Sequence, residues 1–209
     1  MRFLISFLII SLCACGQQTK TNPQAKHLTD SAVIVVIRTG DYEKALTLID
    51  EALKIDSNYL AALKNKFAFQ LHLEQIDKAI ETAKQMKRIK PDVPDYSQTV
   101  GMLYEKIGDS ISAEKYFTEA STQFDNILKT TSSESKNYTF LLINKAINLV
   151  LLGKQQEGND ILKQLYEKEK DETYKEYIAQ FMGKSRKEII DFVFNGGAQS
   201  STAEYPNDK

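Results

Sequence analysis

The side chains able to do chemistry in this 209-residue chain are few: two histidines, His27 and His72, and two cysteines, Cys13 and Cys15. His72-Leu73-Glu74 with Asp77 places an imidazole near two carboxylates, the residue types of an acid–base pair or a metal site. Neither histidine has a cysteine or a second histidine at metal-ligand spacing, so a polar helix end is the expected role of His72. There is no glycine-rich phosphate loop, nucleophile elbow or cofactor motif. Paired acids such as Asp50-Glu51 read as a solvated face. No catalytic residue, metal or cofactor is assigned, and the expectation is a protein that is not an enzyme.

Composition narrows the partner classes. Lys and Arg total 27 against 28 Asp and Glu, so the chain lacks the basic excess that displaces counterions from a polyanion, and nucleic acid is not an expected partner. Four prolines, nine glycines and no tryptophan accompany long stretches of Ala, Leu, Lys, Glu and Gln, which are good helix formers. An all-α chain is expected.

Cys15 has its own context. One basic residue, Arg2, precedes an apolar run from Phe3 to Leu12, which is too short for a stable membrane-spanning helix and has the form of a secretory signal peptide. The run ends in Leu12-Cys13-Ala14-Cys15-Gly16, which resembles a bacterial lipobox. That resemblance implies acylation of Cys15, removal of residues 1–14 and a durable membrane anchor. With Cys15 acylated no cysteine is left for an internal disulfide, so stability must come from helix packing. Residues 15–25 are polar and read as a tether. Gly16 after the cysteine, rather than the Asp common in lipoproteins kept at the inner membrane, implies the outer membrane facing the periplasm.

Three small residues, Ala45, Ala79 and Ala113, recur at an interval of 34. Around them stand Gly40-Asp41, Ile49 and Ala52 in a first unit; Glu74, Ala83, Met86 and Pro91 in a second; and Gly101, Tyr104, Gly108-Asp109, Phe117 and Ala120 in a third. Ala146, Leu149, Gly153, Gly158, Leu162 and Leu165 mark a fourth, whose turn follows Gly108 by 45 residues rather than 34. The pattern resembles the tetratricopeptide repeat, a pair of antiparallel helices whose small positions let backbones approach and whose bulky positions interlock. It implies a right-handed α-solenoid of four repeats over residues 26–170, at about 26–59, 60–93, 94–138 and 139–170. An insertion falls within 121–136, where Thr130 to Ser135 has loop composition. The β-branched run Val33 to Ile37 favours a strand by propensity, yet the frame places it on a helix.

After residue 171, Tyr174, Tyr177, Ile178 and Phe181 have amphipathic helical spacing, and Ser185-Arg186-Lys187-Glu188 matches a capping box opening a last helix. Residues 171–194 are therefore a C-terminal capping helix pair over the exposed end of repeat four. Residues 195–209, with Gly-Gly and Ser-Ser, read as a disordered tail.

The repeat frame also implies where a partner would bind. First-helix positions lining the concave side are Asp30, Ile34, Ile37 and Arg38; then Lys64, Ala68, Leu71 and His72; then Gln98, Met102, Glu105 and Lys106. Ile34, Ile37, Leu71 and Met102 would form an apolar floor inside a charged rim, the composition of a protein or peptide groove. Family members that hold chaperone C-termini use a Lys/Asn/Arg clamp, of which only Asn65 is present here. The expectation is a membrane-anchored adaptor or assembly scaffold; the alternative is an accessory lipoprotein capturing a peptide or glycan for uptake. Asn137-Tyr138-Thr139 matches an N-glycosylation pattern. Asp30-Ser31-Ala32 and Asp109-Ser110-Ile111 resemble the O-glycosylation site of one bacterial phylum, with Ser110 the better placed.

Overall fold

The computed structural model describes residues 21–194; the apolar run, Cys15 and the tail at 195–209 lie outside the described residues. Ten helices follow one another within them: α1 (Pro23–Thr39), α2 (Tyr42–Ile55), α3 (Leu60–His72), α4 (Ile76–Ile89), α5 (Pro94–Lys106), α6 (Ser110–Thr130), α7 (Lys136–Leu151), α8 (Gln155–Lys168), α9 (Glu172–Ala179) and α10 (Arg186–Phe194). None is long and apolar enough to cross a membrane. The Val33 to Ile37 run lies within α1, where packing of Val33, Val35 and Val36 against α2 overrides strand propensity.

Local chemistry sets the helix limits. Asn22, Asp41, Asp109, Ser135 and Asp171 each accept a backbone N–H of the following helix's first turn, which satisfies donors that have no intrahelical partner. The inter-helix turns repeat at the chain's own period. Gly40, Glu74 and Gly108 all have positive φ, at 67°, 55° and 84°, and the turn is therefore left-handed even where glutamate replaces glycine. Helix α1 opens at Pro23, inside the stretch expected to be tether, and buries Ala25 completely.

Each odd-numbered helix from α1 to α7 packs antiparallel on the even-numbered helix after it, and each pair packs on the next, which makes a right-handed α-solenoid. The framing small residues Ala45, Ala79 and Ala113 are fully buried. Close approach is tightest at two glycines. A Cβ on Gly101 would meet the Phe117 ring at 2.6 Å, and one on Gly158 would meet the Ala146 carbonyl oxygen at 2.5 Å. The insertion lies mostly in a helix. Helices α2, α4 and α8 have 14 residues each, whereas α6 has 21, and only 131–135 remain as a connecting turn. Ala120 and Phe124 of the lengthened α6 pack on Leu141 of α7, and Gln123 Nε2 donates to the Pro91 carbonyl at 2.6 Å.

Candidate functional site

Helix α1 contacts α3, and α5 contacts α7, so the first helices of the pairs converge and line the inner side of the curve. The inner positions of α1 and α3 are open. Ile34 and Ile37 are 47% and 77% exposed on α1, Arg38 is exposed beside Ile37 in the sequence, and Lys64, Ala68 and His72 are exposed on the contacting helix α3. Leu71 is half-buried, packed on the core under α3 and α5. His72 stacks on Tyr42 with ring centroids 3.7 Å apart, as a polar aromatic at a helix end. Among the described residues no group of three or more His, Cys, Asp and Glu is arranged to hold a metal ion.

The third repeat departs from the expected groove. Gln98 and Met102 are each only 6% exposed and do not line an open floor. The Gln98 amide donates to the Asn144 carbonyl of α7 at 3.2 Å, which locks α5 to α7, and Met102 joins the core beneath the C-terminal helices. Glu105 is paired with Arg186 at the start of α10, and the Lys106 ammonium lies 5.6 Å from the centre of the Phe194 ring at its end.

The reason is the position of α10. The terminal pair covers repeat four, as its apolar spacing implies, but it does so on the inner side. Ile143, Ile147 and Leu151 of α7 occupy inner positions of the fourth repeat and share one core with Ile178, Phe181, Ile189 and Ile190. From there α10 reaches α5, and Phe194 also packs against the cluster that holds Leu63 and Leu71 of α3. The inner surface thus has two halves: an open one on α1 and α3, and one on α5 and α7 filled by the chain's own helix.

The inner residues of repeat three are not free because an intramolecular helix, lying beyond the repeats in the chain, occupies their face. A signal was present in α7. Its inner positions Ile143, Ile147 and Leu151 are all apolar, where those of the first three repeats are largely polar or charged. An apolar inner face where the other repeats are polar requires a cover. The start of α10 is built by its capping box: Glu188 accepts from the Ser185 N–H at 2.8 Å, and the Glu188 N–H donates back to Ser185 Oγ at 3.3 Å. The Ser185 backbone donor, then its hydroxyl, hold the Glu188 carboxyl below the usual carboxylate range.

Between α4, α5 and α6, Tyr104 and Tyr116 stack at 5.6 Å with Lys84 and Lys87 over their rings. Tyr104 and Glu81 raise the Lys84 ammonium above the ordinary lysine value, first through the Tyr104 hydrogen bond. These aromatics tie α4, α5 and α6 together and form no platform on the inner face.

Comparison with known proteins agrees with this architecture. Residues 37–103 match the family model described as tetratricopeptide repeat. Over 91 residues the chain is 31% identical to the photosystem I assembly protein Ycf3 of Synechococcus sp., covering 39% of this chain and 53% of that protein. Over 99 residues it is 30% identical to anaphase-promoting complex subunit 3 of Schizosaccharomyces pombe, covering 47% of this chain and 15% of that protein. The chain thus spans about half of one curated relative and a small part of the other. The solved structure of nearly identical repeats from a Podosopora anserina putative kinesin light chain superposes with a TM-score of 0.53 at 15% identity, covering 83% of this chain and 87% of that one. With its 34-residue turn period, buried small positions and paired helices, the described chain has the architecture of a tetratricopeptide repeat solenoid, and residues 37–103 carry that family's sequence pattern.

Proposed function

We propose that the protein is a non-enzymatic adaptor that binds another protein on the inner face of its solenoid and holds it at a membrane surface in the periplasm. The observation that carries this reading is the open half of that face. Ile34 and Ile37 stand exposed on α1 with Arg38 next in sequence and Lys64 exposed on the contacting helix α3, and pre-packed helices lose little entropy on binding, so a modest contact suffices. Single exposed apolar residues are ordinary, but two on one helix face bordered by cations are what a mixed groove requires. The anchor is part of the proposal through Cys15 and the apolar run before it, and outer-membrane attachment through Gly16. That one relative is named for complex assembly supports an assembly role.

The test is site-specific photo-crosslinking in the source cells, with the crosslinking residue placed at Ile34 or at Ile111, an exposed residue near the start of α6. Adducts with one defined envelope protein from position 34 and none from position 111 support the reading. Equal labelling from both removes the inner face from consideration.

A second reading, capture of a peptide or glycan for uptake, draws support from the Tyr42–His72 stack at the rim of the open half. Thermal stabilisation of the protein by oligosaccharides or peptides would favour it. An unchanged melting temperature across such a panel counts against it.

A further inference from the structure

We propose that α10 is an exchangeable occupant of the inner face, and that the segment replacing it is an amphipathic helix of a partner protein with the same chemistry: a cation at its start, an aliphatic pair one turn later and an aromatic at its far end. This rests on the inner face being the binding surface, and it names the partner's class.

The contacts of α10 are those of a helix seated in a groove. Arg186, Ile189, Ile190 and Val193 fall at i, i+3, i+4 and i+7, the spacing by which amphipathic helices anchor in apolar clefts. Ile189 and Ile190 are buried, while the polar contacts lie at the two ends, Arg186 on Glu105 and Phe194 under Lys106. Helix α10 has nine residues, a length that has no stability of its own in water, and it is joined to the preceding turn through Gly183 at a positive φ of 74°.

The fit is also incomplete. Among the described residues no acceptor meets the buried Arg186 Nε, so the resident helix leaves a polar group unsatisfied there beside the ion pair that positions it. The α10 of a second copy would bring the same guanidinium to the same place and the same deficit. A different helix can relieve it. Phe194 ends at the cluster containing Leu63 and Leu71, which leads toward the open half. Each further first helix lies about 8–10 Å away, or roughly six helical residues at about 1.5 Å each. Beyond α3 only α1 remains, so a partner helix about six residues longer than α10 would reach Ile34 and Ile37, contacts that the nine-residue occupant does not make.

The experiment uses the full chain and a fluorescein-labelled synthetic peptide of residues 184–194 as probe, in its wild-type form and with Arg186→Glu. Three chains are compared: wild type, Arg186→Glu, and Glu105→Arg, each of the latter two setting like charges between α10 and its seat. The Arg186→Glu chain is expected to bind the wild-type peptide at least tenfold more tightly than the wild-type chain does. The Glu105→Arg chain is expected to prefer the Arg186→Glu peptide by a similar factor. If neither gains tenfold, or each binds both peptides alike, the proposal is overturned.

Hydrogen exchange on the unmodified chain provides a readout independent of any variant. Amides of α10 should exchange at least 100-fold faster than those in the middle of α7, and equal protection overturns exchangeability. A mass that doubles with concentration would assign the seat to the α10 of a second copy. Loss of the tenfold gain when residues 195–209 are removed would assign the opening to that segment. Either result overturns the partner-helix proposal. Failure here leaves adducts from position 34 untouched, so it is separable from failure of the adaptor reading.

Discussion

The guanidinium of Arg186 pairs with the carboxylate of Glu105, 81 residues earlier in the chain, and so fastens the last described helix to the inner face of the third repeat. Both side chains keep a quarter to a third of their surface exposed, at 30% and 25%, so solvent screens the pair. A double-mutant cycle with Arg186→Ala and Glu105→Ala, read by urea unfolding, should give a coupling of about 0.5–1 kcal/mol. In 1 M salt, where the screening length is about 3 Å, most of it should vanish. A coupling near zero at low salt would mean that the apolar contacts alone hold α10.

Gly158 allows α8 to lie against α7 at a separation that no side chain tolerates. A Cβ there would come within 2.5 Å of the Ala146 carbonyl oxygen and 2.7 Å of Val150 Cγ2, and the first of these is backbone that cannot rotate away. Gly158→Ala should therefore cost about 2–3 kcal/mol and lower the melting temperature by several degrees. Differential scanning calorimetry of the purified variant checks it; an unchanged melting temperature would show the two helices free to separate.

Glu74 is the one non-glycine residue with positive φ among the described residues, at 55°. It stands at the turn position that Gly40 and Gly108 fill in the neighbouring repeats. Glu74→Gly removes the Cβ strain of that conformation and should stabilise the fold by about 0.5–1 kcal/mol, net of glycine's greater freedom when unfolded. Chemical denaturation measures it, and destabilisation would show that the Glu74 side chain contributes more than its backbone conformation costs.

The capping carboxylate gives α10 a pH dependence of known sign. Glu188 has a folded pKa below its ordinary value, from the Ser185 backbone donor and then the Ser185 hydroxyl. A depressed acid contributes stability that is present above its unfolded pKa and is lost as pH falls through the folded pKa. Protection of the α10 amides, corrected for the intrinsic exchange rate, should therefore fall on acidification below the ordinary glutamate range. Glu188→Gln should lower that protection at neutral pH and flatten its dependence. Protection independent of pH in the wild type would contradict the box as the element that starts α10.

Much of this architecture could be read from side-chain type and spacing, because the repeat imposes the same physical demand at a fixed interval. Ala45, Ala79 and Ala113 are small where helices touch, and Gly40, Glu74 and Gly108 turn the chain in the same left-handed way. Thr130 to Ser135 announces a break, but not that most of the extra length would extend α6, since both outcomes suit the same polar residues. The return of α10 across Glu105 and Lys106 escaped the frame because the repeat ends before it. Only the apolar inner face of α7, Ile143, Ile147 and Leu151, indicated that something had to cover it. Met102 leaves the groove for that reason, and Gln98 leaves it because its amide is bonded to α7.

In-cell crosslinking with quantitative mass spectrometry, comparing the wild type with Arg38→Glu/Lys64→Glu, decides whether the open inner face holds a protein partner. Both substituted side chains are exposed, so circular dichroism should show the fold unchanged. A defined envelope protein crosslinked to the wild type should be lost from the folded variant. Undiminished crosslinking by that variant would contradict this and move the contact to the outer face or to the extended α6.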